Sequence, residues 1–261
     1  MPWVTRGLRN GVLTTHYPKR PDDYGANWRG AVSVRQGVAG SSDGAEQLCP
    51  TGAIDHGPNG DVALDRGKCI LCGRCVVQRP DLFSFESSPE VASLARRALV
   101  VPTTEQSQAA VAAARAELSR RVRSLRRSVH VRHVDAGSDG SEEWEIAALL
   151  GPVYDVHRLG VFFTASPRHA DLLLISGAGV AGMAGPVRTT YEAMPDPRVV
   201  VAVGTDAVSG GIVSPTYATA GGVGDLVPVD VWVPGSPPSP FSILHGILLA
   251  VGLIPPRKGH Q

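Results

Sequence analysis

Three of the chain's four cysteines fall within seven residues, in the run Cys69-Ile-Leu-Cys72-Gly-Arg-Cys75. No other feature restricts the possible folds as much. A C-x2-C-x2-C loop wraps three corners of an iron–sulfur cubane and leaves the fourth ligand to come from elsewhere. Cys49, in the dipeptide Cys49-Pro50, is the one other cysteine. Zinc knuckles set a C-x2-4-C pair against a second, well-separated pair, a pattern this run fits poorly.

Composition narrows the setting. The chain has 261 residues, 43% of them hydrophobic, enough for a proper core and for two compact units. A net charge of +1 gives no bulk field for nucleic acid. The 30 glycines and 21 prolines sit in turn-like positions rather than repeats, which reads as ordered and loop-rich. The start, MPWVTRGLRNGVL, lacks a signal peptide's apolar stretch. The apolar run Ile243 to Ile254 is too short for a bilayer span of about 20 residues. These readings lead us to expect a soluble, cytoplasmic chain with reduced thiols, where clustered cysteines point to metal rather than disulfides.

Residues 1–27 form a basic, amphipathic lead with Trp3, Leu8, Val12 and Leu13 among Arg6, Arg9, Lys19 and Arg20. Such a segment is a docking strap on protein or contacts a membrane surface. Residues 28–90 hold every cysteine, with short strands expected at Ala31–Val34 and Val62–Leu64. Residues 104–127 lack Gly and Pro and are rich in Ala and Arg, which predicts a helix capped by Thr103 or Thr104. Its arginines suit a solvated linker within 91–127 or a face for an acidic partner.

From 128 to 254 strands alternate with helices. Val129–Val134, Val161–Ala165, Leu172–Ser176, Val199–Val203 and Val229–Val233 read as buried strands, and Glu142–Leu150, Gly182–Ala193 and Pro240–Val251 as helices. That order predicts a mainly parallel sheet covered on both faces. Residues 255–261 are a tail.

The cysteine region resembles the bacterial two-cluster ferredoxin domain with one cluster deleted. There a remote Cys followed by Pro completes the other motif's cluster, the role Cys49-Pro50 would play. Arg79 stands where the second motif would continue, and Ala39, Ser42 and Ala45 stand where the first triplet would lie. The resemblance thus implies one complete set, Cys49, Cys69, Cys72 and Cys75, holding one [4Fe–4S] cluster.

The second half is similar to the small subunit of energy-converting, membrane-bound nickel–iron hydrogenases and its counterpart in respiratory complex I. The likeness rests on HVRHVDAGSDGSEEWEI, YDVHRLGVFFTASPRHADLLLISG, MAGPVRTTYEAMPDPRVVVAVGTDAVSGGI and DLVPVDVWVPGSPPSPFSILHGIL. It implies a ferredoxin-like α+β domain fused to a flavodoxin-like α/β domain. It also implies an electron-transfer role and peripheral attachment at the cytoplasmic face of the inner membrane. The expected partners are a subunit like the hydrogenase large subunit or the complex I 49-kDa protein, together with membrane subunits.

That small subunit holds a cluster of its own through cysteines in G-S-C-x-x-C, G-S/T-C-A and P-G-C-P-P turns. The matching positions here are Asp139, Glu142, Asp206 and Ser236, inside preserved flanks. Hard oxygens do not replace thiolates on iron–sulfur. We therefore expect no iron there, the replacements serving local hydrogen bonds and salt links. The alternative is a hard cation held by Asp139, Glu142 and Asp206. No catalytic residue is expected from this chain alone. The Ser176–Gly182 turn is weak as a phosphate loop. His157, Arg158, Arg168 and His169 suit an interface, and His130, His133 and His245 suit packing or surface roles.

Overall fold

Leu172 and Val199 begin strands whose side chains are excluded from water on both faces, Val129 begins one buried on a single face, and this central parallel sheet organises the molecule. The computed structural model describes residues 2–22, 28–35, 44–57, 61–125, 128–213 and 215–255. The predicted positions Ala39, Ser42, Arg126 and Arg127, and most of the tail, lie outside the described residues.

The chain opens with helix α1 (Pro2–Asn10). The cysteine region contains β1 (Ala31–Val34), β2 (Ile54–His56), β3 (Val62–Asp65), α2 (Arg74–Gln78) and β4 (Phe83–Glu86). β1 pairs antiparallel with β4. β2 and β3 form an antiparallel pair that β5 (Val100–Val101) joins. Val32, Ile54, Leu64 and Phe83 pack with Cys69 and Cys75 into a small core.

Helix α3 (Glu105–Arg121) begins where Thr104 caps it, its hydroxyl accepting the Ser107 N–H at 3.2 Å. Ser107, Val111, Ala114 and Leu118 recur at helical spacing and face inward.

The second half runs β6 (Val129–Asp135), α4 (Ser141–Ala148), β7 (Val161–Phe163), β8 (Leu172–Ser176), α5 (Ala181–Glu192), β9 (Val199–Val203), α6 (Thr205–Ser209), β10 (Val231–Val233) and α7 (Pro240–Ala250). The sheet order is β10-β9-β8-β6-β7, with every neighbouring pair parallel, the arrangement of a flavodoxin-like domain. The predicted strands at 161–165 and 229–233 are shorter at their outer ends, because β7 and β10 are the sheet's edges.

Alternation along each strand feeds two cores. Leu172, Leu174 and Val201 meet α7 and α4 on one face. Leu173, Ile175 and Val200 meet α5 and α6 on the other. α7 is buried along its whole length, so the apolar run near the C-terminus is core. Its His245 is buried too, and Nδ1 accepts the Ala92 N–H at 3.3 Å. Among the described residues no helix is long and apolar enough to cross a membrane.

Leu174 sits in the central strand at 0% exposure. Leu174→Ala should lower unfolding free energy by about 3 kcal/mol through lost burial and the cavity left behind. Urea denaturation would measure it, and a loss under about 1 kcal/mol would contradict this account of the core.

Candidate metal centre

The cysteine loop follows β3 through a turn fixed by Asp65, whose Oδ1 accepts the Gly67 N–H at 2.8 Å. Between Cys69 and α2 the backbone crosses the left-handed region twice, at Leu71 (φ 55°) and Gly73 (φ 75°). Glycine adopts that conformation freely, but leucine does so at a cost, so Leu71 marks a locally strained loop. Gly73 then starts α2, which carries Cys75. Cys49 ends a single 3₁₀ turn (Glu46–Leu48).

Cys69 and Cys75 are buried, Cys49 is half-buried and Cys72 is exposed. The Ala53 N–H donates to Cys49 Sγ at 3.2 Å, and Thr51 Oγ1 lies 3.4 Å from the same sulfur. Burial pushes the Cys69 thiol up to about 12. The Leu71 N–H opposes this, and repulsion from Cys75, Cys49 and Cys72 adds to it. Burial likewise raises Cys75, which feels Cys72 and Cys49. Cys69 therefore lies within electrostatic reach of the other three thiols, and Cys75 within reach of Cys72 and Cys49.

Two buried thiols that resist ionising, Cys69 and Cys75, with backbone N–H groups aimed at sulfur, suit a soft metal group. Iron would compensate the thiolate charge, and N–H···S bonds would stabilise it. Among the described residues, no three His, Cys, Asp or Glu side chains converge as a single bound ion would need. A cubane gives each thiolate its own iron and so holds its ligands wider than one tetrahedral ion does.

The four positions in the second half lie near the carboxyl ends of the strands. Asp139 is exposed, and its Oδ1 accepts the Ser141 N–H at 2.9 Å. The Ser141 hydroxyl and N–H hold its carboxyl below the usual range. Glu142, in the first turn of α4, is 1% exposed. Its Oε2 accepts the Ser141 hydroxyl at 3.2 Å. Its Oε1 lies against Gly204, where any Cβ would sit 2.5 Å away. Burial pushes Glu142 up to about 7, with repulsion from Asp206 and then Asp139 adding to the effect. Asp206 is raised by burial and by Asp139. These three carboxylates thus share one neighbourhood. Ser236 is exposed in the turn beyond β10.

Sequence reasoning missed how closely the two places abut. Thr205, beside Asp206, donates its hydroxyl to the Cys69 carbonyl at 3.1 Å and accepts the Gly235 N–H at 3.2 Å. The Thr205 N–H donates to the Gly235 carbonyl at 2.7 Å. Ser209 Oγ donates to the Gly67 carbonyl at 2.8 Å. Nothing in the sequence signals it: Thr205 is a buried hydroxyl that needs a partner only once the fold has buried it.

A polar knot closes the ends of β6 and β8. His133 Nε2 lies 2.9 Å from Ser176 Oγ, which donates to Glu143 Oε1, and Ser138 Oγ donates to Glu143 Oε2 at 2.7 Å. Burial works to raise Glu143, yet the two hydroxyls, its own backbone N–H and His133 together outweigh it and hold the carboxyl low. The Ser176–Gly182 turn is filled by its own chain, since a Cβ on Gly177 would lie 2.6 Å from the Gly137 backbone. His157 stacks on Phe162, and Arg158 donates to the Tyr17 carbonyl at 2.6 Å. Arg168 and His169 are exposed.

Residues 140–250 match the family described as NADH ubiquinone oxidoreductase, 20 kDa subunit. Formate hydrogenlyase subunit 7 of Escherichia coli is 40% identical over 133 residues, 51% of this chain and 52% of that protein. The probable membrane-bound hydrogenase subunit mbhJ of Pyrococcus furiosus is 40% identical over 143 residues, 52% of this chain and 86% of that protein. An NADH-quinone oxidoreductase subunit of Rhizobium etli is 49% identical over 96 residues, 37% of this chain and 57% of that protein. The chain spans about half the length of the first of these relatives.

Proposed function

Since the chain belongs to the family of the 20-kDa subunit of NADH ubiquinone oxidoreductase, we propose that it is the electron-carrying iron–sulfur subunit of a membrane-associated oxidoreductase complex. The complex is related to energy-converting hydrogenases and NADH:quinone oxidoreductase. Cys49, Cys69, Cys72 and Cys75 hold one [4Fe–4S] cluster in a ferredoxin-type unit (28–90). That unit is fused through 91–127 to the small-subunit domain (128–254). When bound, the cluster supplies one-electron transfer. The observation that carries the reading is the gathering of the chain's four thiols around a loop latched to the α/β domain by Thr205.

The residues divide the work. Cys69 and Cys75 take the buried side and limit water access, while Cys72 faces outward, toward an approaching donor or acceptor. The Ala53, Leu71 and Val76 N–H groups favour the thiolate forms. In the second domain Asp139, Glu142, Asp206 and Ser236 replace soft ligands with hard oxygens, so this domain carries no cluster of its own. Its face then serves to dock a partner like the hydrogenase large subunit or the complex I 49-kDa protein. Those partners and the membrane subunits keep the chain at the cytoplasmic face of the inner membrane.

A second reading follows from the missing soft ligands. With no relay in the α/β domain, the chain is an assembly subunit whose cluster is structural. Anaerobic purification with iron and sulfide counts, followed by a redox titration monitored by electron paramagnetic resonance, tests both. About four irons and four sulfides per chain and a reversible signal are expected. A cluster that takes up no electron favours the assembly role. No iron, or two cubanes per chain, overturns both readings.

A further inference from the structure

We propose that α1 and the residues just after it bind an anionic lipid surface directly, with the helix lying in the headgroup plane. This goes beyond the reading above, in which partner subunits alone bring the chain to the membrane.

The helix divides cleanly around its axis. At about 100° per residue, Trp3, Val4, Gly7 and Leu8 fall on one side, and Thr5, Arg6, Arg9 and Asn10 on the other. None of its nine residues is buried. Trp3 is 73% and Leu8 80% exposed, and Val12 and Leu13 continue the apolar surface at 82% and 58%. A folded chain does not leave such a run in water without something to cover it.

Charge selects the cover. Residues 1–21 contain Arg6, Arg9, Lys19 and Arg20 and no Asp or Glu. An apolar stripe opposed by a polar face whose only charges, Arg6 and Arg9, are cationic suits a bilayer interface. The stripe enters the acyl boundary while the arginines meet anionic headgroups. The base of the segment is fixed rather than loose. Thr14 Oγ1 donates to the Pro152 carbonyl at 2.8 Å, and the Thr15 N–H donates to the Val153 carbonyl at 2.8 Å. The segment is thereby tied to the turn that carries exposed Leu150 and Val153, which adds apolar area at the anchor.

Vesicle flotation of the full-length chain tests this, using phosphatidylcholine vesicles with and without phosphatidylglycerol. Wild type should float with the anionic vesicles and stay behind with the neutral ones. Arg6→Gln/Arg9→Gln should lower the bound fraction roughly tenfold to thirtyfold. Trp3→Ser/Leu8→Ser should lower it at least about tenfold. Circular dichroism and iron content should not change, because these side chains touch no core. Wild type that never floats, variants that float as well as wild type, or binding to purified partner subunits but not to vesicles would each overturn the proposal. Flotation does not depend on iron. A floating chain without a cluster would therefore sink the electron-transfer reading and leave this one standing.

Discussion

Cys69→Ser is expected to yield a chain almost free of iron and acid-labile sulfide, against about four of each in the wild type. Cys69 is the most constrained of the four cysteines proposed to bind iron. Its sulfur is buried and packs in the small core with Phe83 and Leu64, and its carbonyl is held by Thr205. Serine keeps the shape but presents a hard, neutral hydroxyl, which soft iron–sulfur chemistry rejects. Cluster binding is also folding energy for a unit this small. The cysteine region should therefore lose protection from amide hydrogen exchange along with its metal. Val77→Ser is the matched control, since Val77 lies on α2 beside the ligands but is 80% exposed. Iron content should be unaffected there. If Cys69→Ser retained a full cubane, the ligand assignment would fall.

Glu142→Gln is expected to stabilise the protein at pH 8 and to do nothing near pH 4.5. Burial, aided by Asp206 and Asp139, raises the Glu142 carboxyl from 4.5 to about 7 in the folded chain. Between those values the folded chain keeps a proton that the unfolded chain has released. Stability therefore falls as pH rises through the window, and the whole cost is present above it. An uncharged amide of the same shape removes that cost. The gain at pH 8 is roughly 2–3 kcal/mol, a rise of about 5 °C or more in melting temperature. Paired thermal melts of the two proteins across pH 4.5 to 8 would show the gap opening as pH rises. A constant gap, or a variant less stable at pH 8, would mean that Glu142 is not a neutral acid in the fold.

The sheet was legible because its strands are continuous aliphatic runs. Leu172–Ser176 and Val199–Val203 are β-branched or leucine-rich, end in polar residues or glycine, and occupy their expected positions. The pair Thr103-Thr104 announced the start of α3, and Thr104 is the cap. Two short strands, Ala31–Val34 and Val62–Asp65, were also foreseen, the second one residue short, but the other short elements were not. Ile54–His56, Phe83–Glu86 and Val100–Val101 are too brief to show a period, and they exist because partners elsewhere in the chain pair with them. The same divide runs through the site. Residue types and spacing pointed to Cys69, Cys72 and Cys75. Asp139, Glu142 and Asp206 could be grouped only through resemblance, since their mutual repulsion needs separate loops to meet. The bond from Thr205 to the Cys69 carbonyl joins residues 136 apart, and nothing local to either announces it.

Residues 91–101 tie the two halves into one mechanical object. Ser93 exchanges backbone bonds with Trp232, and Arg96 grips Asp65 through both carboxylate oxygens while donating to the Val208 carbonyl. Leu94 and Leu99 bury themselves in opposite cores of the sheet domain, and Val100 and Val101 extend the cysteine region's own ladder. A truncation anywhere in this stretch would strip a strand from one half and plugs from the other. Melting should accordingly be a single event, and any disturbance at the thiols would be felt by the sheet.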